Sequence, residues 1–417
     1  MLEHLLRFSI ERRKGVLCFV LVLAVIGGFS LARLPIDAVP DITNNQVQIN
    51  AMAPSLSPIE VEKQVTFPLE TALAGIPGLA YTRSLSRNGF TQVTAVFAED
   101  VSIYFARTQI AERLGEARES LPPGVEPRMG AISTGLGEIY MWTVEYEHPR
   151  GVGVAARDGS AGWQNDGSFL TPEGRYLTSE LERSAYLREV QDWIIRPQLR
   201  GVPGVAGVDA IGGHLKQYHV QPDPMRLVSY GLTFADVIEA LERNNVSTGA
   251  GYIEHQGEAY LVRAAGRIED PRAIEEIPLG SRAGVPIRVS DVATVGIGRE
   301  LRSGSASENG EEVVIGTALM LIGENSRTVA AAVDARMQEV GRSLPPGIRA
   351  KTVLDRTKLV NATIATVQKN LLEGALLVIV VLFVLLGNFR AALICALAIP
   401  LSMLLTAIGM VQARVSG

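Results

Sequence analysis

Histidine and cysteine, the residue types best suited to metal and redox chemistry, are few in this chain. The 417 residues contain five histidines and two cysteines. His214 and His219 bracket the segment HLKQYH, in which a strand places side chains five positions apart on opposite faces, and His255 follows later. None of the three fits a helical zinc-binding spacing, so the sequence favours structural roles for them. Cys18 and Cys395 lie inside apolar runs, where cysteine behaves as a small hydrophobic side chain.

Motifs of the common enzyme classes are also missing. The sequence contains no nucleophile elbow, phosphate-binding loop, HExxH motif or pair of catalytic carboxylates. Methionine selects soft metal ions, but Met129 and Met141 do not form a close pair, and Met403 and Met410 share one face of an apolar helix where packing is the simpler role. We therefore expect no enzymatic activity and no cofactor.

The charge distribution bears on possible partners. The chain carries a net charge of −5, but residues 1–33 hold five Lys or Arg against two Asp or Glu, and residues 34–389 hold 32 basic against 42 acidic side chains. This acidic body argues against nucleic acid as a partner, because phosphate binding needs clustered Lys and Arg. It mildly favours cations.

Three apolar runs predict contact with a lipid bilayer. Residues 15–32 are uncharged and long enough to cross one. A cleaved signal peptide is the alternative, although this run exceeds the ~7–15 residues usual for one. Residues 374–386 and 391–411 predict a transmembrane hairpin whose first helix begins upstream, near Thr357.

Basic residues predict the orientation of these spans, since they stay on the cytoplasmic side of short loops. The basic residues before the first run are Arg7, Arg12, Arg13 and Lys14. The N-terminus is therefore expected inside, residues ~34–360 outside, and Arg390 in an inner turn.

Two short motifs recur and indicate a duplication. SLPPG occurs at 120–124 and 343–347, and a Gly-x-Pro-Gly motif occurs at 75–78 and 201–204. Each copy follows a predicted helix, and the residue before a proline is pushed out of the helical region, so SLPPG ends a helix in both places. The motifs are 45 residues apart in the first copy and 142 in the second.

The longer second copy predicts an inserted domain near residues 206–300. Its predicted elements are the strands GVDAIGG and KQYHVQP, a helix over 233–243, and a hairpin turning at Gln256 and Gly257. Outside the insert each copy follows the order β-α-β-β-α-β of ferredoxin-like domains. Residues 147–174, rich in Gly, Asp, Asn and Ser, predict a solvated loop with Trp163 as a surface contact.

Longer segments resemble one known family over essentially the whole chain. They include RLPIDAVPDIT, PLETALAGIPGL, SLSRNGFTQVTAVF, ISTGLGEIYMWTVE, LREVQDWIIRPQLRGVPGV and LLGNFRAALICALAIPLSML. These segments resemble the N-terminal part of the heavy-metal efflux branch, of the CzcA/CusA type, of the resistance-nodulation-division (RND) transporters. The resemblance implies a proton-driven, homotrimeric pump of the bacterial inner membrane that works with a periplasmic adaptor protein and an outer-membrane channel.

The resemblance also assigns roles to the predicted units. The fold class is then membrane α-helical plus α+β, with three transmembrane helices flanking two periplasmic ferredoxin-like porter subdomains. The second subdomain is interrupted by a docking domain, whose hairpin at 252–262 would lean on the next protomer. The expected boundaries are a cytoplasmic N-terminus at 1–14, transmembrane helix 1 at 15–33, porter subdomain 1 at 34–131, porter subdomain 2 at 132–205 and 301–356, the docking domain at 206–300, transmembrane helices 2 and 3 at 357–387 and 391–411, and the start of a periplasmic-side loop at 412–417.

Glu138, in the segment TGLGEIYMW, is the single metal-site candidate. In zinc-exporting relatives an acidic residue at this place in the motif helps to bind the ion, and Gly135 and Gly137 would allow close backbone approach. A carboxylate is a fitting zinc ligand, but a strand-edge salt bridge or a solvated carboxylate remains the alternative. Zinc, cobalt, cadmium and nickel are the expected transported ions, with copper and silver less favoured.

The resemblance also bears on activity. The family's proton relay includes an acidic residue in a fourth helix, and the apolar runs here hold no ionisable residue except Glu373 at an edge. The chain alone is therefore expected to be transport-inactive. A membrane-anchored periplasmic scaffold without transport activity is the alternative that composition and periodicity leave open.

Overall fold

The computed structural model describes residues 10–33, 43–153, 159–264, 266–268, 270–282, 284–300, 302, 304–386 and 389–413. The expected cytoplasmic N-terminus, the first residues of porter subdomain 1 and the final segment 412–417 lie wholly or partly outside these residues. The N-terminal helix α1 (Arg13–Arg33) precedes two αβ units.

The first αβ unit spans residues 46–129. It contains β1 (Gln46–Met52), α2 (Pro58–Val61), α3 (Phe67–Leu73), β2 (Leu79–Arg87), β3 (Phe90–Phe97), α4 (Ile103–Ala117) and β4 (Pro127–Met129), with the antiparallel sheet order β2-β3-β1-β4. Along β1, Val47 and Ile49 are buried in the core that also contains α3 and α4 residues. Because side chains alternate along a strand, Gln46, Gln48 and Asn50 lie on the opposite, open face of the sheet.

The chain then forms the first half of a second αβ unit. Its elements are β5 (Glu138–Tyr146), the short strands β6 (Gly162–Trp163), β7 (Phe169–Leu170) and β8 (Tyr176–Leu177), the helices α5 (Glu180–Glu189) and α6 (Arg196–Arg200), and β9 (Val205–Ile211).

An inserted α+β domain follows β9. It contains β10 (Lys216–Pro222), α7 (Pro224–Tyr230), α8 (Phe234–Asn244), β11 (Thr248–His255), β12 (Glu258–Ala264), α9 (Pro271–Glu275), β13 (Pro278–Arg282), β14 (Val285–Arg288), α10 (Val289–Val292) and β15 (Ala293–Arg299). Its core packs Leu227 and Val237 against Ile274 and Val289. Thr233 caps α8 through a reciprocal capping box with Asp236.

The second αβ unit is completed after the insert. Its remaining elements are β16 (Ala306–Glu308), β17 (Glu311–Met320), α11 (Ser326–Gly341) and β18 (Ile348–Asp355). Strand β17 pairs with β5 and β9, and β5 pairs with β18, so this sheet repeats the strand order of the first. Strand β9 therefore belongs to the second unit, and the predicted insert boundary at residue 206 is wrong. The insert begins after Ile211, because the β9 backbone is paired with β17 up to that residue.

The segment predicted to be a solvated loop is instead partly folded over the second core. Strands β6, β7 and β8 form a small antiparallel sheet, and Trp163 and Phe169 are 6% and 0% exposed. The centroids of the Trp163 and Phe169 rings are 5.4 Å apart in an edge-on arrangement. Aromatic pairs prefer this geometry. Residues 154–158 lie outside the described residues.

A π-helical turn interrupts the first helix of each unit. Glu62–Thr66 joins α2 to α3, and Val190–Ile195 joins α5 to α6. In both helices a proline, Pro68 or Pro197, stands two residues after the turn. Proline lacks an N–H and its ring clashes with the preceding helical turn, so a widened turn accommodates it without ending the helix.

Two long apolar helices end the chain, α12 (Arg356–Leu386) and α13 (Phe389–Ala413). Among the described residues, two stretches are long and apolar enough to cross a membrane, Arg13–Leu31 in α1 and Arg356–Leu385 in α12, whereas the apolar stretch in α13 is shorter, Leu397–Gln412. Helix α13 packs closely against α1, because a Cβ at Gly27 would lie 2.7 Å from the Leu404 Cβ.

Candidate functional site

Glu138, the predicted metal ligand, is the first residue of β5. A 3-10 turn at Gly135–Gly137 precedes it. Arg356, at the start of α12, holds this turn by donating from Nη1 to the Leu136 carbonyl at 2.8 Å. The position of Glu138 is therefore set by its own strand and by the start of the long apolar helix α12.

The two glycines before Glu138 differ in their surroundings. A Cβ at Gly137 would lie 2.0 Å from the Ser133 Oγ and 3.2 Å from the Met320 carbonyl oxygen, whereas a Cβ at Gly135 would meet no atom within 4 Å. Both glycines were expected to allow another group to approach the backbone closely. In the structure only Gly137 has such close neighbours.

A cavity of about 750 Å³ lies between the two αβ units, and Glu138 lines it. The first unit contributes the open-face amides of Gln46, Gln48 and Asn50, and the second contributes a further carboxylate, Asp209. Both carboxylates lie on exposed residues. Neutral amides from the first unit thus face two acidic side chains across this cavity.

Strand register places the two carboxylates on the same face of the second sheet. Glu138 is opposite Leu319 on β17, and Asp209 is opposite Thr317, two residues away on the same strand. Strand β17 separates them, so their backbones are about 10 Å apart across the sheet. This separation suits two independent contacts or a hydrated ion better than one compact chelate.

Three arginines also line the cavity and oppose cation binding, although two have other partners. Arg107 donates from Nη1 to the Gly130 carbonyl at 2.8 Å, and burial lowers its pKa. Arg196 forms an ion pair with Asp192 at 3.0 Å. Arg200 is the third. Protein oxygens thus partly occupy two of the three guanidinium groups. A cation can still reach the carboxylates of Glu138 and Asp209.

The Glu138 carboxylate forms no hydrogen bond or ion pair with any other residue in the part of the chain that the structure describes. The strand-edge salt bridge considered as an alternative is therefore not formed there. Among the same described residues, no group of three or more His, Cys, Asp or Glu side chains comes together as a metal site. Glu138 alone is thus an accessible ligand, and it needs further donors.

The remaining sequence candidates do not converge on this cavity, apart from Met129, which lines it. His214 is buried at the base of the insert, His219 lies on β10 beside Gln217, and His255 ends β11. Their scattered positions agree with the structural roles inferred from their spacing.

Sequence reasoning missed Asp209 and the amide row. Asp209 was assigned to the insert, so its position beside the first unit could not be anticipated. The amide row did have a signal, because Gln46, Gln48 and Asn50 alternate with apolar residues over one strand, which places polar groups on a single face.

The whole chain matches a known family of membrane transporters. Residues 5–416 match the AcrB/AcrD/AcrF family. The chain belongs to this family. Its resemblance to the N-terminal part of heavy-metal efflux RND transporters is confirmed by relatives and by solved structures.

Among the relatives of this AcrB/AcrD/AcrF-family chain, the nickel and cobalt resistance protein CnrA of Cupriavidus metallidurans is 55% identical over 417 residues, covering 100% of this chain and 39% of CnrA. The cobalt-zinc-cadmium resistance protein CzcA of the same organism is 53% identical, covering 100% of this chain and 37% of CzcA. The cation efflux system protein CusA of Escherichia coli is 34% identical, covering 97% of this chain and 36% of CusA.

A crystal structure of a heavy metal efflux pump is also similar. It has a TM-score of 0.82 and 28% identity, covering 99% of this chain and 38% of that chain. The chain thus spans less than two fifths of the length of the proteins it matches.

Proposed function

We propose that this chain forms part of a proton-driven exporter of divalent heavy-metal ions, with nickel, cobalt, zinc and cadmium as the substrate class. The observation that carries the proposal is the 55% identity to a nickel and cobalt resistance protein along the full chain. Proton antiport, a homotrimeric state, and partnership with a periplasmic adaptor and an outer-membrane channel are parts of the same proposal.

The chemistry of the cavity supports hard or borderline cations over soft ones. Its acidic and amide oxygens are ligands for such ions, whereas thioethers select copper(I) and silver. One methionine, Met129, lines the cavity among the residues that the structure describes. The lower identity to CusA than to CnrA points in the same direction.

The membrane arrangement is proposed from three helices. Helices α1 and α12 are long and apolar enough to cross, and we propose that α13 crosses as well, because its 25 residues correspond to about 37 Å at 1.5 Å per residue. Basic residues before α1 then place the N-terminus in the cytoplasm. The two αβ units and the insert lie in the periplasm, as porter subdomains and docking domain.

Glu138 is proposed to contact the exported ion. The test is a chimaera in which this chain replaces the matching segment of CnrA, expressed in a nickel- and cobalt-sensitive host. Glu138→Gln removes the charge but keeps the shape, so we expect metal affinity to fall by at least about tenfold and tolerance to fall with it. Glu99→Gln is the control, because Glu99 is exposed and does not line the cavity.

Two outcomes would contradict this proposal. Unchanged tolerance to nickel, cobalt, zinc and cadmium in the Glu138→Gln chimaera would remove Glu138 from the ion path. A chimaera that reaches the membrane but confers no tolerance at all would favour the scaffold interpretation. The chain expressed alone is proposed to give no tolerance, since Glu373, at the edge of the apolar run of α12, is the one acidic residue in the three apolar helices.

A further inference from the structure

A buried histidine lies where the chain leaves the second αβ unit for the insert. His214 follows β9 and precedes β10, and its residue is only 5% exposed. Its ring Nδ1 is buried and has no hydrogen-bond partner among the residues that the structure describes. Buried polar atoms without a partner are rare in folded proteins, so this nitrogen calls for an acceptor or a donor.

The partner of the other ring nitrogen, Nε2, determines whether Nδ1 needs a hydrogen-bond acceptor or a donor. Arg299 Nη1 lies 3.4 Å from His214 Nε2. Arginine only donates, so Nε2 must accept and the ring proton must lie on Nδ1. His214 therefore presents an N–H that lacks an acceptor.

Two cavities meet at His214, and one of them is rich in arginine. This cavity, which we call the junction pocket, has a volume of about 380 Å³, and the side chains that carry charge around it are those of Arg87, Arg188, Arg302 and Glu300. Arg87 belongs to β2 in the first unit and Arg188 to α5 in the second, whereas Glu300 and Arg302 follow β15 at the end of the insert.

The arginines keep donors that their protein partners do not use. Arg188 donates from Nε to Asp192 at 2.8 Å and from Nη1 to the Gly212 carbonyl at 3.0 Å, which leaves its Nη2. Arg302 is paired with Glu312. The Arg87 guanidinium stacks on the Phe90 ring at 4.7 Å and forms no ion pair with a residue of the described chain.

His214 and the arginines around the junction pocket disfavour a bound cation and favour a bound anion. Burial lowers the pKa of His214, Arg302 and Arg299 lower it further, and Glu312 opposes them. The lowered pKa favours the neutral ring, whose one accepting nitrogen, Nε2, is already used by Arg299. The same positive potential that disfavours a proton or a metal ion stabilises an oxyanion, whose oxygens can accept from His214 Nδ1 and from the free arginine N–H groups.

We propose that the junction pocket binds a small oxyanion, a phosphate or carboxylate group, between the first αβ unit, the second αβ unit and the base of the insert. The bound group accepts hydrogen bonds from His214, Arg188, Arg302 and Arg87. Among the described residues, Glu300 is the one acidic side chain that lines the pocket. The ligand would thus fix the insert relative to both units.

The test is calorimetric titration of the full chain in detergent micelles, in chloride buffer, with inorganic phosphate in one arm and acetate in the other. We expect saturable binding in at least one arm, and the arm that binds more tightly identifies the oxyanion. Arg87→Gln should weaken it by about tenfold, the loss of one hydrogen bond to a charged group. Arg83→Gln is the matched control, because Arg83 lies on the same exposed strand and bonds to Gln46 instead.

Nuclear magnetic resonance of ¹⁵N-histidine-labelled chain gives a second readout. Addition of the ligand should shift the His214 Nδ1–H resonance and leave that of exposed His255 unchanged. The proposal is overturned if neither anion binds, if Arg87→Gln binds as tightly as the unmodified chain, or if the His214 resonance does not move.

Discussion

Two glutamates on one strand show how differently the same residue type is used. Glu145 on β5 is buried and receives two bonds from Arg349, at 2.7 Å from Nε and 2.6 Å from Nη2. Glu138, at the other end of β5, is exposed. A paired, buried carboxylate stabilises the sheet only in its ionised form, whereas an unpaired one can exchange a cation with water.

Gly137→Ala should disturb the turn that positions Glu138. The new Cβ would lie 2.0 Å from the Ser133 Oγ, so either the serine rotates or the turn shifts, at a cost of about 1 kcal/mol. Chemical unfolding of the chain in micelles measures this. Gly135→Ala is the control and should change stability by less than about 0.5 kcal/mol. Equal effects of the two substitutions would contradict the packing argument.

His214 should make stability depend on pH. Its pKa is lowered in the folded state by burial and by Arg302, so below about pH 6.5 the unfolded chain binds more protons than the folded one. The free energy of unfolding is therefore highest above that pH and should fall as the pH drops toward the folded-state pKa. His214→Asn should flatten this slope in denaturant titrations between pH 7 and 5, and exposed His255→Asn should not.

At the scale of elements, the two π-helical turns mark the duplication more clearly than the strands do. In each unit a proline, Pro68 or Pro197, lies inside a helix that continues past it. A Gly-x-Pro-Gly segment then follows the end of that helix. Gly78 and Gly204 both have positive φ, and a Cβ at either would collide with a valine, Val101 or Val329. Equivalent glycines in the two units therefore serve the same close approach.

Gly27→Leu should separate α1 from α13. The glycine lies against the Leu404 backbone and side chain, and close helix contacts in membranes depend on such small residues. We expect a loss of about 1–3 kcal/mol in stability, measured as thermal unfolding in micelles. Gly28→Leu is the control, since no atom lies within 4 Å of a Cβ there. A larger effect at Gly28 than at Gly27 would show that the two helices pack differently.

At the scale of the whole molecule, the membrane arrangement is open to a direct test. Reporters fused at the N-terminus and after residue 200 should be found on opposite sides of the membrane, because in the proposed topology α1 crosses once between them. Alkaline phosphatase should be active only in the second fusion, and a cytoplasmic reporter such as green fluorescent protein should be fluorescent only in the first. Both fusions in the same compartment would refute the topology.

Local signals predicted a substantial part of this architecture. The helix predicted over 233–243 forms as α8, with Thr233 as its N-cap, because helix periodicity and capping involve residues close together in the chain. The turn at Gln256 and Gly257 has positive φ at both residues, as a two-residue hairpin requires. Motif resemblance also identified the family, since the quoted segments extend over nearly the whole chain.

The folded segment around Trp163 could not be read from its composition. Glycine and polar residues predominate there, yet Trp163 and Phe169 are buried against Tyr146 and Tyr186 of the flanking elements, and Phe169 also lies beside Gly347, far along the chain. Burial of this kind depends on partners far along the chain, which local composition does not reveal.

The sequence by itself determined the apolar helices, the duplicated αβ pattern and the family, because these depend on periodicity and on residues close together in the chain. Only the tertiary structure decided that β9 joins the second sheet, that Asp209 lines the same cavity as Glu138, and that Arg87 lines the same pocket as His214. These arrangements bring together segments more than 70 residues apart. Their geometry is set by how two sheets and an insert pack, which no short stretch of sequence encodes.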